Sequence, residues 1–350
     1  MSTRFGRANG TRARPGIVWY DGAMKIALLG AMGFVGQAAA RDLAAHPEVR
    51  ELILVDYDVR QAKKLAKALS PKCRYAMADA GRVPELERLL GGLDAVANAV
   101  GPCAHYEKDI LLTCAAAGAA IVSIGDDALP ESDGRQVHEA FRRAGVAAVP
   151  GCGLLPGWTE ILSAHFPPSG RKGTPADTRR FLFCSPDRFG GYAFFRRLAR
   201  TPRREPVPAP PGAPRGVYFE TENGSLLGLP EGGAALFRRI GRLGAFGTVG
   251  REFEAAFLLW LRRSLRGEAR SPAAAAGVAI PAGDGFETSS VIDPEGRLTG
   301  VTLARAALLL AELRGKEKGL LPLPGLVGRE EAGIIAGSCG ARIALARSAS

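Results

Sequence analysis

Hydrophobic positions in the first 150 residues alternate between two rhythms. Short apolar runs suited to buried strands occur at KIALL (25–29), ELILVD (51–56), RYAMAD (74–79), DAVANAVG (94–101), AAIVSIGDD (119–127) and VAAVPG (146–151). Between them lie segments with helical character: FVGQAAARDLAAH (34–46), RVPELERLLGGL (82–93), YEKDILLTCAAAG (106–118) and ESDGRQVHEAFRRAG (131–145). Repeated βα units of this length predict an α/β fold, a doubly wound parallel sheet with right-handed crossovers.

The glycines beside the first strand add chemistry to this pattern. In MKIALLGAMGFVG they fall at Gly30, Gly33 and Gly36, as KIALL ends and the Ala-rich helix begins. The spacing is G-x-x-G-x-x-G, one residue away from the usual Rossmann G-x-G-x-x-G. The physical needs are the same: a tight turn, a backbone without Cβ beside a pyrophosphate, and close helix–strand packing. Residues Gly30, Ala31, Met32, Gly33, Phe34, Val35 and Gly36 are therefore candidate cofactor-binding positions, with phosphate at the helix start. Asp56 ends the second strand, where a carboxylate can hold adenosine ribose hydroxyls and repel a 2′-phosphate. That favours NAD, while nearby Arg60 leaves NADP open.

Beyond residue 150 the rhythm changes. VPGCGLLPGW (149–158) has six Gly, Pro or Cys residues and reads as a domain boundary. RRFLFCS (179–185), YFETENGSLLGL (218–229) and ETSSVID (287–293) suggest strands of a second, mixed α/β domain. TPRREPVPAPPGAPRG (201–216), with six prolines, reads as a semi-rigid basic connector. ALFRRIGRLGAFG and REFEAAFLLWLRRSLRG read as basic amphipathic helices. The expected organisation is a disordered extension (1–23), a dinucleotide-binding domain (24–155), a substrate and dimerisation domain (156–296), and a C-terminal helix (297–350) returning to the first domain.

Composition narrows the function. The net charge of +11 is concentrated in residues 1–23 (+3) and 171–216 (+8). Neither stretch has the regular basic and aromatic face of a nucleic-acid binder. REFEAAFLLWLRRSLRG could contact a membrane surface, although a dimer contact or lid accounts for it better. The six cysteines form no C-x-x-C pair and the four histidines are scattered, so neither a disulfide framework nor a metal site is expected. A reducing, cytoplasmic setting fits. No apolar run approaches the span of a membrane helix.

Three stretches together, GAMGFVG, DAVANAVGPCAHYEKDILLTCAAAGAAIVSIGDD and VPGCGLLPGW, resemble the saccharopine dehydrogenase-like family, the group of saccharopine reductase and lysine 6-dehydrogenase. LTGVTLARAALLLAELRGKEKGLLPLPGLV is similar to the closing helix and turn of that family. The resemblance covers residues 24–165 and 297–327 and is poor over 190–290, where the family shapes its substrate pocket and dimer contacts. It implies an NAD(P)-dependent oxidoreductase acting at a C–N bond of an amino-acid-like or polyamine-like substrate, and a homodimer. By the same resemblance, Gly101 and Pro102 lie near the nicotinamide, the Asp126–Asp127 pair ends the fifth strand, and Cys152, Gly153, Leu154, Pro156 and Gly157 form the turn facing the substrate.

Hydride transfer needs a proton donor or acceptor near the reacting carbon. Asp126, Tyr106 and His105 are the candidates. Asp126 would orient or deprotonate a substrate ammonium, and a helix N-cap is its competing role. His105 could equally be a hydrogen-bonded structural residue, and Cys152 a small side chain that fits its place. Two other functions stay open: reduction of a C=C or C=O bond in a lipid-like substrate, and NAD(H) binding without turnover.

Overall fold

The computed structural model describes residues 24–125, 129–168, 178–185, 210, 213, 217–220, 224–225 and 272–348. The first part alternates strand and helix: β1 (Met24–Leu29), α1 (Phe34–Ala45), β2 (Val49–Asp56), α2 (Val59–Leu69), β3 (Cys73–Met77), α3 (Val83–Leu90), β4 (Ala95–Asn98), α4 (Cys103–Ala116), β5 (Ile121–Ser123), α5 (Glu131–Ala144), β6 (Ala147–Val149) and α6 (Trp158–His165). Then come β7 (Arg179–Cys184), β8 (Val217–Glu220), β9 (Gly224–Ser225), β10 (Ala274–Ala282) and β11 (Gly285–Asp293). The chain closes with α7 (Leu298–Glu312), β12 (Gly319–Leu320), α8 (Leu323–Leu326), α9 (Arg329–Ser338) and β13 (Arg342–Ser348).

β1 is central because it is apolar towards both faces. Ile26 and Leu28 join one core layer, while Ala27 and Leu29 join the other, and all four are buried. The parallel sheet has the order β12-β6-β5-β4-β1-β2-β3. The chain winds outward from β1 to β3 and then returns to β4 on the other side of β1. This reversal opens a crevice at the carboxyl ends of β1 and β4, the usual ligand position in such sheets. The fold is thus the expected Rossmann-like α/β sheet, joined to an antiparallel sheet of order β13-β11-β10-β7-β8-β9.

α7 connects the two sheets. Gly300 lets it approach α1 closely, since a Cβ there would lie 2.6 Å from Ala38 Cβ and from Val35 O. Thr302 Oγ1 accepts from Trp158 Nε1 at 2.8 Å, which fastens α6 to α7. The α7 N-terminus is held by Asp293, whose carboxylate accepts from the N–H groups of Glu295, Gly296, Arg297 and Leu298. Arg305 Nε lies 3.0 Å from Asp42 Oδ2 on α1.

The C-terminal expectation needs correcting. The helix returning to the first domain is Leu298–Glu312, not the whole of 297–350. Gly315 and Gly319, both at positive φ, end the helical path. β12 then extends the parallel sheet beside β6, and β13 pairs with β11 in the other sheet. β10, unanticipated in the sequence, forms the middle of that sheet between β7 and β11. The extension 1–23, most of the 201–216 connector, the two basic helices and the Asp126–Asp127 pair lie outside the described residues.

Candidate dinucleotide site

The three glycines of the first turn have different reasons to be glycine. Gly30 has φ +70°, and its Cβ would meet Ala99 O at 2.8 Å. A Cβ on Gly36 would lie 2.0 Å from Gly30 O, so strand and helix could not approach as they do. Gly33 differs. It is the N-cap of α1 with φ −64°, and its Cβ would meet nothing closer than Gly30 O at 3.4 Å. Any residue adopts that backbone, and the protein has room for a side chain. The missing Cβ leaves the helix start bare towards a cavity of about 970 Å³. First-turn N–H groups, those of Phe34 and Val35 among them, have no intrahelical acceptor and carry the positive end of the helix dipole.

Asp56 braces this loop from the end of β2. Its Oδ2 accepts from Met32 N at 2.8 Å and its Oδ1 from Asp58 N at 3.0 Å. The N–H groups of Gly30 and Ala31 donate to Val55 O, and Gly33 N donates to Gly30 O. Gly30, Met32 and Gly33 line the cavity floor. Asp56, Tyr57, Asp58, Gln61 and Lys64 line it from β2 onward, Ala78, Asp79 and Ala80 after β3, and Ala99, Val100 and Gly101 after β4, while the Tyr106 ring, also in the lining, lies near Gly81. Arg60 does not line it. Of the remaining loop positions, Ala31 is buried and Phe34 is half exposed. The Gly101–Pro102 peptide bond is cis, and Pro102 is the N-cap of α4.

The catalytic candidates separate. Tyr106 lines the cavity, while His105 is exposed and meets the Tyr106 ring edge-on at 6.3 Å. Asp126 lies outside the described residues. In the 152–157 turn, Cys152, Gly153, Leu154 and Gly157 are buried, Pro156 is partly so, and none lines the cavity. Gly157, at φ +121°, packs against its own loop: a Cβ would lie 2.3 Å from Gly153 O. Burial pushes the Cys152 thiol far above its ordinary range, and its Sγ donates to Val149 O at 3.3 Å. The turn therefore acts as shape. Among the described residues no group of three His, Cys, Asp or Glu could hold a metal ion, and no helix is long and apolar enough to cross a membrane.

One polar group was missed in the sequence. Glu107, 3% exposed, accepts at Oε2 from Ser123 Oγ at 2.7 Å and from Asn98 Nδ2 at 3.2 Å. The available signal was its place on the apolar stripe of α4, at i before Ile110, Leu111 and Cys114 at i+3, i+4 and i+7.

Comparison with known proteins supports the same region. Residues 26–149 match the family model described as saccharopine dehydrogenase NADP binding domain. The fold is similar to that of apo histidine-tagged saccharopine dehydrogenase (L-Glu forming) from Saccharomyces cerevisiae, with a TM-score of 0.61 at 14% identity over 93% of this chain and 100% of that one. Dipicolinate-bound dihydrodipicolinate reductase from Paenisporosarcina sp. TG-14 matches with a TM-score of 0.45 at 10% identity, over 86% of this chain and 98% of that one. The glycine turn, the carboxylate at the end of β2 and this match together identify residues 26–149 as an NAD(P)-binding domain of the saccharopine dehydrogenase type.

Proposed function

We propose that this protein is an NAD-preferring oxidoreductase that transfers a hydride at a C–N bond of an amino-acid-like substrate. Gly33 carries the reading. It is a glycine that neither backbone angle nor packing requires, at the helix start facing the cavity, and the close approach of a ligand's phosphate explains it. The Phe34 and Val35 amides would take the pyrophosphate, and Met32 and Gly33 would supply the bare wall beside it. The nicotinamide, when bound, supplies the hydride acceptor or donor.

At the adenosine end, each Asp56 oxygen accepts one backbone N–H. A carboxylate oxygen has a second lone pair, so ribose hydroxyls can still donate to it. Asp58 adds a second negative charge there, Lys64 is the cation among the lining residues, and Arg60 stays outside. This balance opposes a 2′-phosphate and supports NAD. Tyr106 lines the same cavity, and in this reading it donates or accepts a proton at the reacting carbon. In this reading Asp126 holds the substrate ammonium and His105 assists from the rim. Homodimer formation is expected, and sedimentation would test it.

The decisive experiment titrates NADH and NADPH into the wild type and Gly33→Asp, then screens amino acids with the preferred nucleotide. NADH should bind at least about ten-fold more tightly than NADPH, and Gly33→Asp should fold normally yet lose about a hundred-fold in affinity. Unchanged affinity in a folded Gly33→Asp protein would overturn the placement. Absence of hydride transfer with any amine or amino acid would overturn the reaction.

A further inference from the structure

A carboxylate on the buried stripe of α4 calls for a reason. Burying a carboxylate is costly unless it is well hydrogen-bonded, so packing alone does not call for Glu107. Its contacts lie at the carboxyl edge of the sheet. Asn98 ends β4 and Ser123 ends β5, and both side chains donate to Glu107 Oε2. Asn98 Nδ2 also donates to Ser123 Oγ at 3.0 Å, so this amide points both ways into the pair. Its Oδ1 is left on the opposite side, where it accepts from Val100 N at 3.1 Å. Val100 and Gly101 line the cavity after β4, on the opposite side of β1 from Asp56 at the end of β2. Ser123 O accepts from Cys152 N at 2.8 Å, which ties in the turn after β6. A Cβ on Gly125 would lie 3.1 Å from Glu107 Oε1, so the turn after β5 also closes onto this carboxylate.

We infer that Glu107 is a positioning residue for the nicotinamide end of the site. It holds the Asn98 amide in the orientation that fixes the Val100–Gly101 backbone. The physical cause is charge and lone-pair direction. A flipped Asn98 would aim its carbonyl oxygen at the Glu107 carboxylate, acceptor against acceptor, and would leave the partly buried Val100 N–H facing an NH₂ group. Both are costly away from water. Ser123 shares the carboxylate, so one side chain sets the ends of β4 and β5 together. The inference rests on the dinucleotide reading given above.

The test compares NADH with ADP-ribose, which lacks the nicotinamide. In Glu107→Met, NADH affinity should fall about ten-fold or more while ADP-ribose affinity stays within about two-fold. Glu107→Gln, whose amide oxygen still accepts from Asn98 and Ser123, should recover NADH binding to within about three-fold of wild type. A purely structural role would lower both ligands together. A parallel loss, an unchanged NADH affinity in Glu107→Met, or no recovery in Glu107→Gln each overturns the inference. If Glu107→Met does not fold, Asn98→Ala breaks the same link from the other end and should give the same split between ligands. Its absence there overturns the inference as well. A wild-type protein that binds neither ligand overturns the dinucleotide reading itself, an outcome visible before any variant is made.

Discussion

The central strands of the two sheets are buried on both faces, yet they are made of different residues. β1 is MKIALL, and its own Ile and Leu side chains reach into the layers of α1, α4 and α7. In β10 seven consecutive residues are buried and five of them are Ala or Gly. The bulk there comes from neighbours: Phe181 and Phe183 on β7 and Ile292 on β11 fill one face, and Leu182 and Val291 the other. Phe181 lies over Gly277, so a Cβ would meet its ring at 2.5 Å. A strand can therefore supply volume or receive it, and only the supplier looks like a strand in the sequence. The sheets differ in function for a related reason. Parallel strands place all their carboxyl ends, and the turns that follow, on one edge, so loops from β1, β2 and β4 surround one cavity. An antiparallel sheet divides those ends between two edges.

The comparison can be broken most severely at Gly36. In a helix, alanine ordinarily gains about 1 kcal/mol over glycine. Here Gly36→Ala should instead cost more than about 4 kcal/mol or prevent folding, because the obstructing atom is the Gly30 carbonyl oxygen, part of the backbone. Urea unfolding measures it, and retained stability would show that α1 does not lie against the turn as described. Gly277→Ala tests the second sheet and should cost more than about 3 kcal/mol, because its Cβ would meet the Ser289 carbonyl oxygen as well as the Phe181 ring, each at 2.5 Å. Phe181→Leu in the same chain should relieve part of that loss, so the double variant should be more stable than the sum of the singles predicts. Strict additivity would mean that the ring does not fill the space above Gly277.

A smaller effect sharpens the contact between the first domain and α7. Burial, followed by the Arg305 and Lys72 charges, holds the His46 imidazole below its ordinary value of 6.5, against the opposing pull of Glu48 and Asp42. Between the folded and unfolded values the unfolded chain binds the proton more readily. His46 therefore costs no stability above pH 6.5, and stability falls as the pH drops from there to the folded value, where the loss levels off. Denaturation midpoints of wild type and His46→Gln should diverge below pH 6.5, with the variant losing less. A parallel pH profile would remove His46 from the account. The size is modest because the group is partly solvated.

Much of the first domain was legible because its constraints are local. The strands β1 to β6, the glycine turn and Asp56 are set by runs, spacings and turns within about 35 residues of chain, the length of a βα unit. The sequence pattern also placed β7 and β11. It did not reveal β10, whose alanines favour helix, or β13, which lies within the 297–350 stretch where the pattern predicts a closing helix. It named three needs for the glycines, a tight turn, a bare backbone and close packing. The structure distributes them: Gly30 makes the turn, Gly36 permits the packing, and Gly33 is the one with room for a side chain. It read the Cys152–Gly157 turn as a domain boundary, with a substrate-facing role implied by the resemblance, and the structure buries all of that turn but Pro156, which is partly exposed. Glu107 escaped notice because a charged residue on a helix is ordinarily solvated, and only the ends of β4 and β5 disclose its use.

By itself, then, the sequence determined the parallel sheet, the turn where a dinucleotide would lie, and the carboxylate at the end of β2, since each depends on short-range backbone geometry. Tertiary structure alone decided which glycine faces open space, which alanine segment becomes a strand, and which buried carboxylate orders the edge of the site. Those outcomes depend on atoms brought together from distant parts of the chain, such as Phe181 over Gly277 and Glu107 between Asn98 and Ser123.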